Sequence, residues 1–317
     1  MAFILLSIFG LSESIFMPSN VFAVIVTYNR LPLLQLCVGA IQSQTKSPDH
    51  ILIIDNASTD GTDAWIHGIS SNIIYIRLTD NRGGAGGFAE GIQQALVHGA
   101  DWIWMMDDDA EPLPNALEEL LFVSNNPSHI YGSVAISGEY TSWGLSLVNK
   151  GNIGVDLIED IPDRARVQFL PFLGFMIHRD LVNKMGLPDA GFFIAADDVE
   201  YCMRAASFGA QVIVAGKSRI KHPKAITYTL QLPGRSFTCL QLPPWKRYYD
   251  TRNRLFIARQ YYGLRFWTHT IPASFLRLFG ALRYEPRKLA QLWAFFTGFY
   301  DGLLNIKGKR HPFWHIN

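Results

Sequence analysis

An α/β fold organised around a mainly parallel sheet, with helices flanking the sheet and a helical extension at the C-terminus, is the class this sequence predicts. Three observations carry the prediction. Between residue 21 and about residue 136, short apolar and β-branched runs alternate with helical patterns of roughly ten residues, the mark of βαβ units. Those runs are near-continuous instead of alternating, as expected of strands covered on both faces. From Trp245 onwards the texture changes to long helical stretches rich in aromatics and arginine.

The first buried strand is Val21-Phe22-Ala23-Val24-Ile25-Val26. A helix over 31–41 follows, with Pro32 near its first turn, where the missing N–H costs little. Ile51-Leu52-Ile53-Ile54 is the second strand, ending at Asp55-Asn56, and Asp60-Gly61-Thr62 turns into another helix. Strand, helix, strand, helix and strand then occupy 73–78, 86–97, 102–106, 113–123 and 130–136. The stretch 137–208 is more irregular, with a strand over 172–177 and a helix over 198–208 that stops at Gly209. Residues 210–215 form a further strand. The chain thus divides into an apolar extension over 1–20, a main domain over 21–240 and a helical region over 241–317. The apolar stretch of the extension is interrupted by Glu13 and several serines, too short for a membrane span and without the basic start of a signal peptide. A cytoplasmic location is the expectation.

Composition narrows the classes of function. With 49% hydrophobic and 17% charged residues, the 317-residue chain can bury a substantial core. Its 28 basic and 27 acidic residues leave a formal charge of +1, so there is no basic field for nucleic acid. Cys37, Cys202 and Cys239 form no CxxC pair, which indicates neither a disulfide framework nor a zinc site.

Ligands of open parallel sheets bind at the carboxyl ends of the strands. Four polar clusters sit there: Thr27-Tyr28-Asn29-Arg30, Asp55-Asn56, Asp80-Asn81-Arg82-Gly83 and Asp107-Asp108-Asp109. The last is the strongest signal. A strand running into three carboxylates would place Asp107 and Asp109 on one side, since side chains alternate with period two. Two such carboxylates suit Mg²⁺ or Mn²⁺ completed by substrate phosphates; a solvated acidic turn is the alternative. The glycine-rich run from Gly83 to Gly91 follows a strand and opens a helix, an arrangement that suits close backbone approach and anion binding. Its GxGxxA spacing follows the third strand and not the first, which argues against a nicotinamide or flavin fingerprint. Asp197 and Asp198 fit helix N-capping, or one of them fits a general base. Glu200 and Arg204 are spaced for a surface ion pair, and His222 alone reads as an ordinary structural or surface residue, a ligand role being the less common alternative.

In this order and spacing, over about residues 21–258, these segments resemble glycosyltransferase family 2, and most of all its galactofuranosyltransferase and rhamnosyltransferase branch. They include Ile54-Asp55-Asn56-Ala57-Ser58-Thr59-Asp60-Gly61-Thr62, Met106-Asp107-Asp108-Asp109-Ala110, Asp197-Asp198-Val199-Glu200-Tyr201 and Trp245-Lys246-Arg247-Tyr248-Tyr249 with Arg252-Asn253-Arg254. The resemblance implies a GT-A (nucleotide-diphospho-sugar transferase) fold and a metal-dependent, inverting transferase. Thr27, Arg30, Asp55, Asn81, Gly83 and Asp108 would bind the nucleotide sugar. Asp107, Asp109 and His222 would hold a divalent metal, Mn²⁺ or Mg²⁺. Asp198 would be the catalytic base, with Asp197 and Glu200 positioning the acceptor. The implied donor is UDP-galactofuranose first and dTDP-rhamnose second. The implied acceptor is a saccharide or lipid-linked saccharide of cell-surface polysaccharide synthesis.

Two other readings fit less well. A nucleotidyltransferase would need a glycine-rich loop carrying Arg or Lys after the first strand, and none is present. A catalytically silent carbohydrate-binding scaffold would be expected to lack some of Asp107, Asp109 and Asp198. In the C-terminal region, over 266–304, Trp267, Phe275, Phe279, Trp293 and Phe296 are interleaved with Arg277, Arg283, Arg287 and Lys288. That pattern suits peripheral contact with the cytoplasmic face of a membrane, but equally a helical cap on the core or a homo-oligomer contact.

Overall fold

In the computed structural model, residues 19–69, 73–148, 153–232 and 235–317 are described; the expected apolar extension lies outside them except for Ser19 and Asn20. The elements run β1 (Val21–Thr27), α1 (Leu31–Gln42), β2 (His50–Asp55), α2 (Thr62–His67), β3 (Ile73–Arg77), α3 (Gly83–Val97), β4 (Trp102–Asp107), β5 (Glu111–Pro112), α4 (Ala116–Val123) and β6 (Ile130–Ser137). There follow β7 (Tyr140–Leu147), β8 (Ile153–Leu157), β9 (Arg164–Arg166), β10 (Leu173–His178), α5 (Arg179–Met185), α6 (Asp197–Ser207), β11 (Val212–Lys221), β12 (Thr227–Leu232) and β13 (Arg235–Leu240). The chain closes with α7 (Pro244–Tyr261), a π-helical turn (Phe266–Thr270), α8 (Ile271–Tyr284) and α9 (Lys288–Leu303).

The main sheet has the order β3-β2-β1-β4-β10-β6-β11. β1 to β4 are mutually parallel and β6 is parallel to β11. β10 is antiparallel to both its neighbours, β4 and β6. Its sequence, LGFMIH, is as apolar as the parallel strands around it, so apolarity locates the strand without revealing its direction. Nor did the sequence signal the β12–β13 hairpin, which stands as a separate two-stranded sheet.

Period-two alternation along the strands builds two cores. Phe22, Val24 and Val26 of β1 join Leu52, Ile54, Ile103 and Met105 under Phe88 and Ile92 of α3. Val21, Ala23 and Ile25 join Ile51, Ile53, Trp104 and Met106 under Leu34 and Val38 of α1 and Leu117 of α4. Burial on both faces is why these strands read as continuous apolar runs. The glycine-rich run belongs to α3 itself, which begins at Gly83 and not at Gly86. A Cβ on Gly87 would stand 2.4 Å from Val26 Cγ1, so this glycine lets the helix press onto β1.

The C-terminal helices have two characters. Leu278 of α8 and Phe295 of α9 are buried, whereas Trp267, Phe275, Phe279, Trp293 and Phe296 are exposed. Among the described residues no helix is long and apolar enough to cross a membrane.

Candidate active site

The register aligns the polar ends of three strands: Thr27 pairs with Asp55, and Val26 pairs with Asp107. A cleft of about 1270 Å³ opens above them, lined by Thr27, Tyr28, Arg30, Asn56, Asn81, Gly83, Asp107, Asp108, Asp109, Asp197, Asp198 and His222. Ten of the twelve residues expected at the site therefore line one cavity: Thr27, Arg30, Asn81, Gly83, Asp107, Asp108, Asp109, Asp197, Asp198 and His222.

The other two do not. Asp55 is fully buried; it accepts from the Ser58 backbone N–H at 2.8 Å and from the Tyr75 hydroxyl at 2.7 Å. It braces β2 against β3, and Asn56 takes the cleft wall beside it. Glu200, expected to position an acceptor, is buried in an ion pair with Arg204 and also accepts from the Tyr261 hydroxyl at 2.9 Å. The i,i+4 spacing on α6 is realised, but as an internal brace and not at the surface.

The acidic run departs from the strand argument as well. β4 ends at Asp107, and Asp108 and Asp109 form a turn, so period two does not govern the pair. Asp108 points inward, accepting from Thr27 Oγ1 at 2.8 Å and from Arg30 Nη1 at 3.3 Å. Arg30 Nη1 also donates to Asp109 Oδ2 at 2.9 Å. Asp109 Oδ1 lies 3.5 Å from His222 Nε2. That oxygen and His222 Nδ1 are buried without a hydrogen-bond partner. Burial keeps the imidazole below its ordinary pKa despite Asp109, a shift that favours the neutral form a metal ligand requires. Among the described residues, no three His, Cys, Asp or Glu side chains come together closely enough to hold a metal ion. Of the expected triad, Asp109 and His222 are the two in contact, and Asp107 lines the same cleft. A two-ligand edge still suits Mg²⁺ or Mn²⁺, which take one or two carboxylates and leave the remaining positions to phosphate and water. Burial first, then the charges of Asp109, Asp108 and Asp197, pushes the Asp107 carboxyl well above the ordinary range.

Asp197 and Asp198 open α6 behind a strained loop. Phe193, Ala195 and Ala196 have φ of 65°, 71° and 62°, left-handed conformations that cost of the order of 1–3 kcal/mol each outside glycine. The N-cap is Ala196, with no side-chain hydrogen bond, and Asp198 Oδ1 instead accepts from the Val199 backbone N–H at 2.7 Å, so Asp198 both satisfies a first-turn N–H of α6 and lines the cleft. Gly83 sits against the same loop: a Cβ there would come within 2.0 Å of the Phe193 carbonyl, and its own φ is +72°. Asn253 Nδ2 donates to the carbonyls of Phe192, Ile194 and Ala195 at 3.0, 2.8 and 2.8 Å. Arg252 Nη2 donates to those of Gly191 and Phe192. Both acids have raised pKa values. Burial leads in each case; for Asp197 the Asp198 charge adds to it, whereas at Asp198 the backbone N–H of Val199 and, less, Arg254 partly offset it.

Sequence reasoning singled out the segment around Trp245 but assigned its residues no role. Lys246, Asp250 and Arg254 all line the cleft, one helical turn apart on one face of α7; that i,i+4,i+8 spacing was the available signal. Lys246 forms no ion pair among the described residues. Burial, then the nearby Arg30, lowers its pKa, while Asp107 and Asp109 act in the opposite sense.

A mainly parallel sheet carrying a carboxylate-lined cleft at its C-terminal edge, closed by a helical tail, defines a GT-A type glycosyltransferase. A family model described as glycosyl transferase family 2 matches residues 22–186. The chain is 30% identical, over 281 residues, to the galactofuranosyltransferase GlfT1 of Mycolicibacterium smegmatis, covering 85% of this chain and 92% of that one. It is 24% identical over 253 residues to the dTDP-rhamnosyl transferase RfbF of Shigella flexneri, covering 77% and 81%. Among solved structures, GalNAc-T7 with UDP, GalNAc and Mn²⁺ superposes with a TM-score of 0.58 at 14% identity, over 91% of this chain and 58% of that one. The chain belongs to glycosyltransferase family 2.

Proposed function

We propose that this transferase is inverting and uses Mn²⁺ or Mg²⁺. In this reading it moves galactofuranose from UDP-galactofuranose to a saccharide or lipid-linked saccharide acceptor of cell-surface polysaccharide synthesis. The observation that carries the proposal is a carboxylate, Asp198, held at the mouth of α6 in the same cleft as the Asp109–His222 edge. Asp198 accepts the acceptor hydroxyl proton as the new bond to the anomeric carbon forms and the bond to the diphosphate breaks. One displacement inverts the centre, so no enzyme nucleophile is required. Asp109 and His222 would hold the cation, which when bound neutralises charge growing on the leaving diphosphate. Arg30 is already committed to Asp108 and Asp109, and Lys246 is the better-placed cation for that diphosphate. Asn81, Gly83, Thr27 and Tyr28 would form the nucleotide side, and Asp197 the acceptor side. Residues 21–240 would be the transferase domain. Residues 241–317 would complete its acceptor half and present the exposed aromatics of α8 and α9 to a membrane surface or a second copy, at the cytoplasmic face.

Galactofuranose stands first because the relative at 30% identity carries that activity in its name. dTDP-rhamnose stands second through the relative at 24%. Binding and turnover of a panel of nucleotide sugars with Mn²⁺, and then with EDTA, test the reading. EDTA-sensitive use of UDP-galactofuranose is expected. Preference for dTDP-rhamnose would move the donor but keep the mechanism, and metal-independent turnover would refute the role of Asp109 and His222.

A further inference from the structure

Beside the main cleft lies a smaller cavity of about 200 Å³ between β13, α7 and α8, lined by Thr238, Arg247, Asp250, Arg254 and Arg277 among others. It shares Asp250, Arg254 and Arg277 with the main cleft, so the two are adjoining chambers. A cavity of that volume holds several waters, enough for a phosphoryl group.

The charges in its walls do not balance. Arg254 Nε pairs with Asp250 at 2.8 Å, and Arg247 stands 3.8 Å from the same carboxylate while also pairing with Glu285. Arg277 has neither an ion pair nor a hydrogen bond among the described residues; its guanidinium lies over the Phe237 ring at 5.0 Å. Three guanidiniums therefore face two carboxylates. Arg247 is only 2% exposed, and its Nε has no hydrogen-bond partner. A buried donor left unpaired costs free energy, and excess cations in a desolvated pocket favour an anion.

We propose that this chamber binds a phosphoryl group belonging to the acceptor side of the reaction, with Arg277 and Arg247 as its donors. The proposal rests on the transferase reading above and narrows it: the acceptor would be phosphorylated, and α8, which carries Arg277, also carries the exposed Phe275 and Phe279. A lipid-linked acceptor diphosphate and an anionic lipid headgroup present the same chemistry.

The test titrates inorganic pyrophosphate calorimetrically into the full chain, with UDP saturating the donor site and EDTA present. Wild type is expected to bind. Arg277→Gln should weaken that binding at least tenfold with UDP affinity unchanged, and Arg277→Lys should recover part of it. Equal pyrophosphate affinity in wild type and Arg277→Gln overturns the proposal, as does no binding to wild type. Displacement by farnesyl diphosphate identifies an acceptor diphosphate as the source, and displacement by phosphatidylglycerol vesicles, but not phosphatidylcholine vesicles, a headgroup. Displacement by neither overturns the proposal. Wild type that binds no UDP-sugar would sink the transferase reading; wild type that binds UDP-sugar but not pyrophosphate would sink this chamber alone.

Discussion

Asp197 and Asp198 are adjacent carboxyls whose pKa values are both raised, and a base must be ionised to accept a proton. The acid limb of kcat should therefore lie above the ordinary aspartate value of about 3.9. A kcat profile from pH 4 to 9 checks this, and full activity at pH 4.5 would contradict the assignment. Asp198→Asn should lower kcat by about 10²- to 10⁴-fold with donor binding preserved. Near-normal transfer from a folded variant would remove Asp198 from the mechanism. Glu200→Gln, by contrast, disturbs an internal ion pair and belongs to stability.

At the scale of elements, the decisive join is between α7 and the loop before α6. Asn253 on α7 gives three hydrogen bonds to loop carbonyls, and three residues of that loop are left-handed. Strain of this kind persists only where surrounding structure holds it. Asn253→Ala removes the side-chain donor from the part-buried carbonyls of Ile194 and Ala195, while that of Phe192 keeps Arg252, at a cost of about 1–3 kcal/mol. It should also lower kcat more than it raises KM for the donor, because the loop carries Asp197 and Asp198 directly and meets the nucleotide side only where Phe193 packs on Gly83. Chemical denaturation and steady-state kinetics together check both parts. Unchanged kcat in the destabilised variant would reduce the clamp to a structural brace.

At the scale of the molecule, the cleft gathers acids that gain stability from losing charge. Asp107 and Asp197 have folded pKa values raised above their unfolded ones. A folded state that binds protons more tightly than the unfolded one loses stability as pH rises from about 4 through the folded pKa. Asp107→Asn should therefore be more stable than wild type at pH 8, by of the order of 1 kcal/mol, and little different at pH 4; thermal melts at the two pH values decide it. UDP with Mn²⁺ should raise the wild-type Tm by mass action, and Asp109→Asn should reduce that shift. The exposed aromatics carry a prediction of their own. Phe279→Glu with Phe296→Glu should lower partition into anionic liposomes without changing solution transfer to a short soluble acceptor. Unchanged partition would leave that face to an oligomer contact.

Local chemistry was legible because it is written in contiguous residues. The apolar runs of β1, β2 and β4 announced strands covered on both faces, and polar ends at Thr27, Asn81 and Asp107 announced a cleft at one edge of the sheet. Tertiary structure decided whatever depends on partners distant in the chain. Asp55 and Glu200 have the same chemistry as the cleft acids, yet Tyr75 and Tyr261 engage them from other elements. The direction of β10 is set by its neighbours and not by its composition. Lys246 and Arg254 acquire a role only when α7 lies along the cleft. A side chain's type sets what it can do; burial and the groups brought against it set which of those things it does.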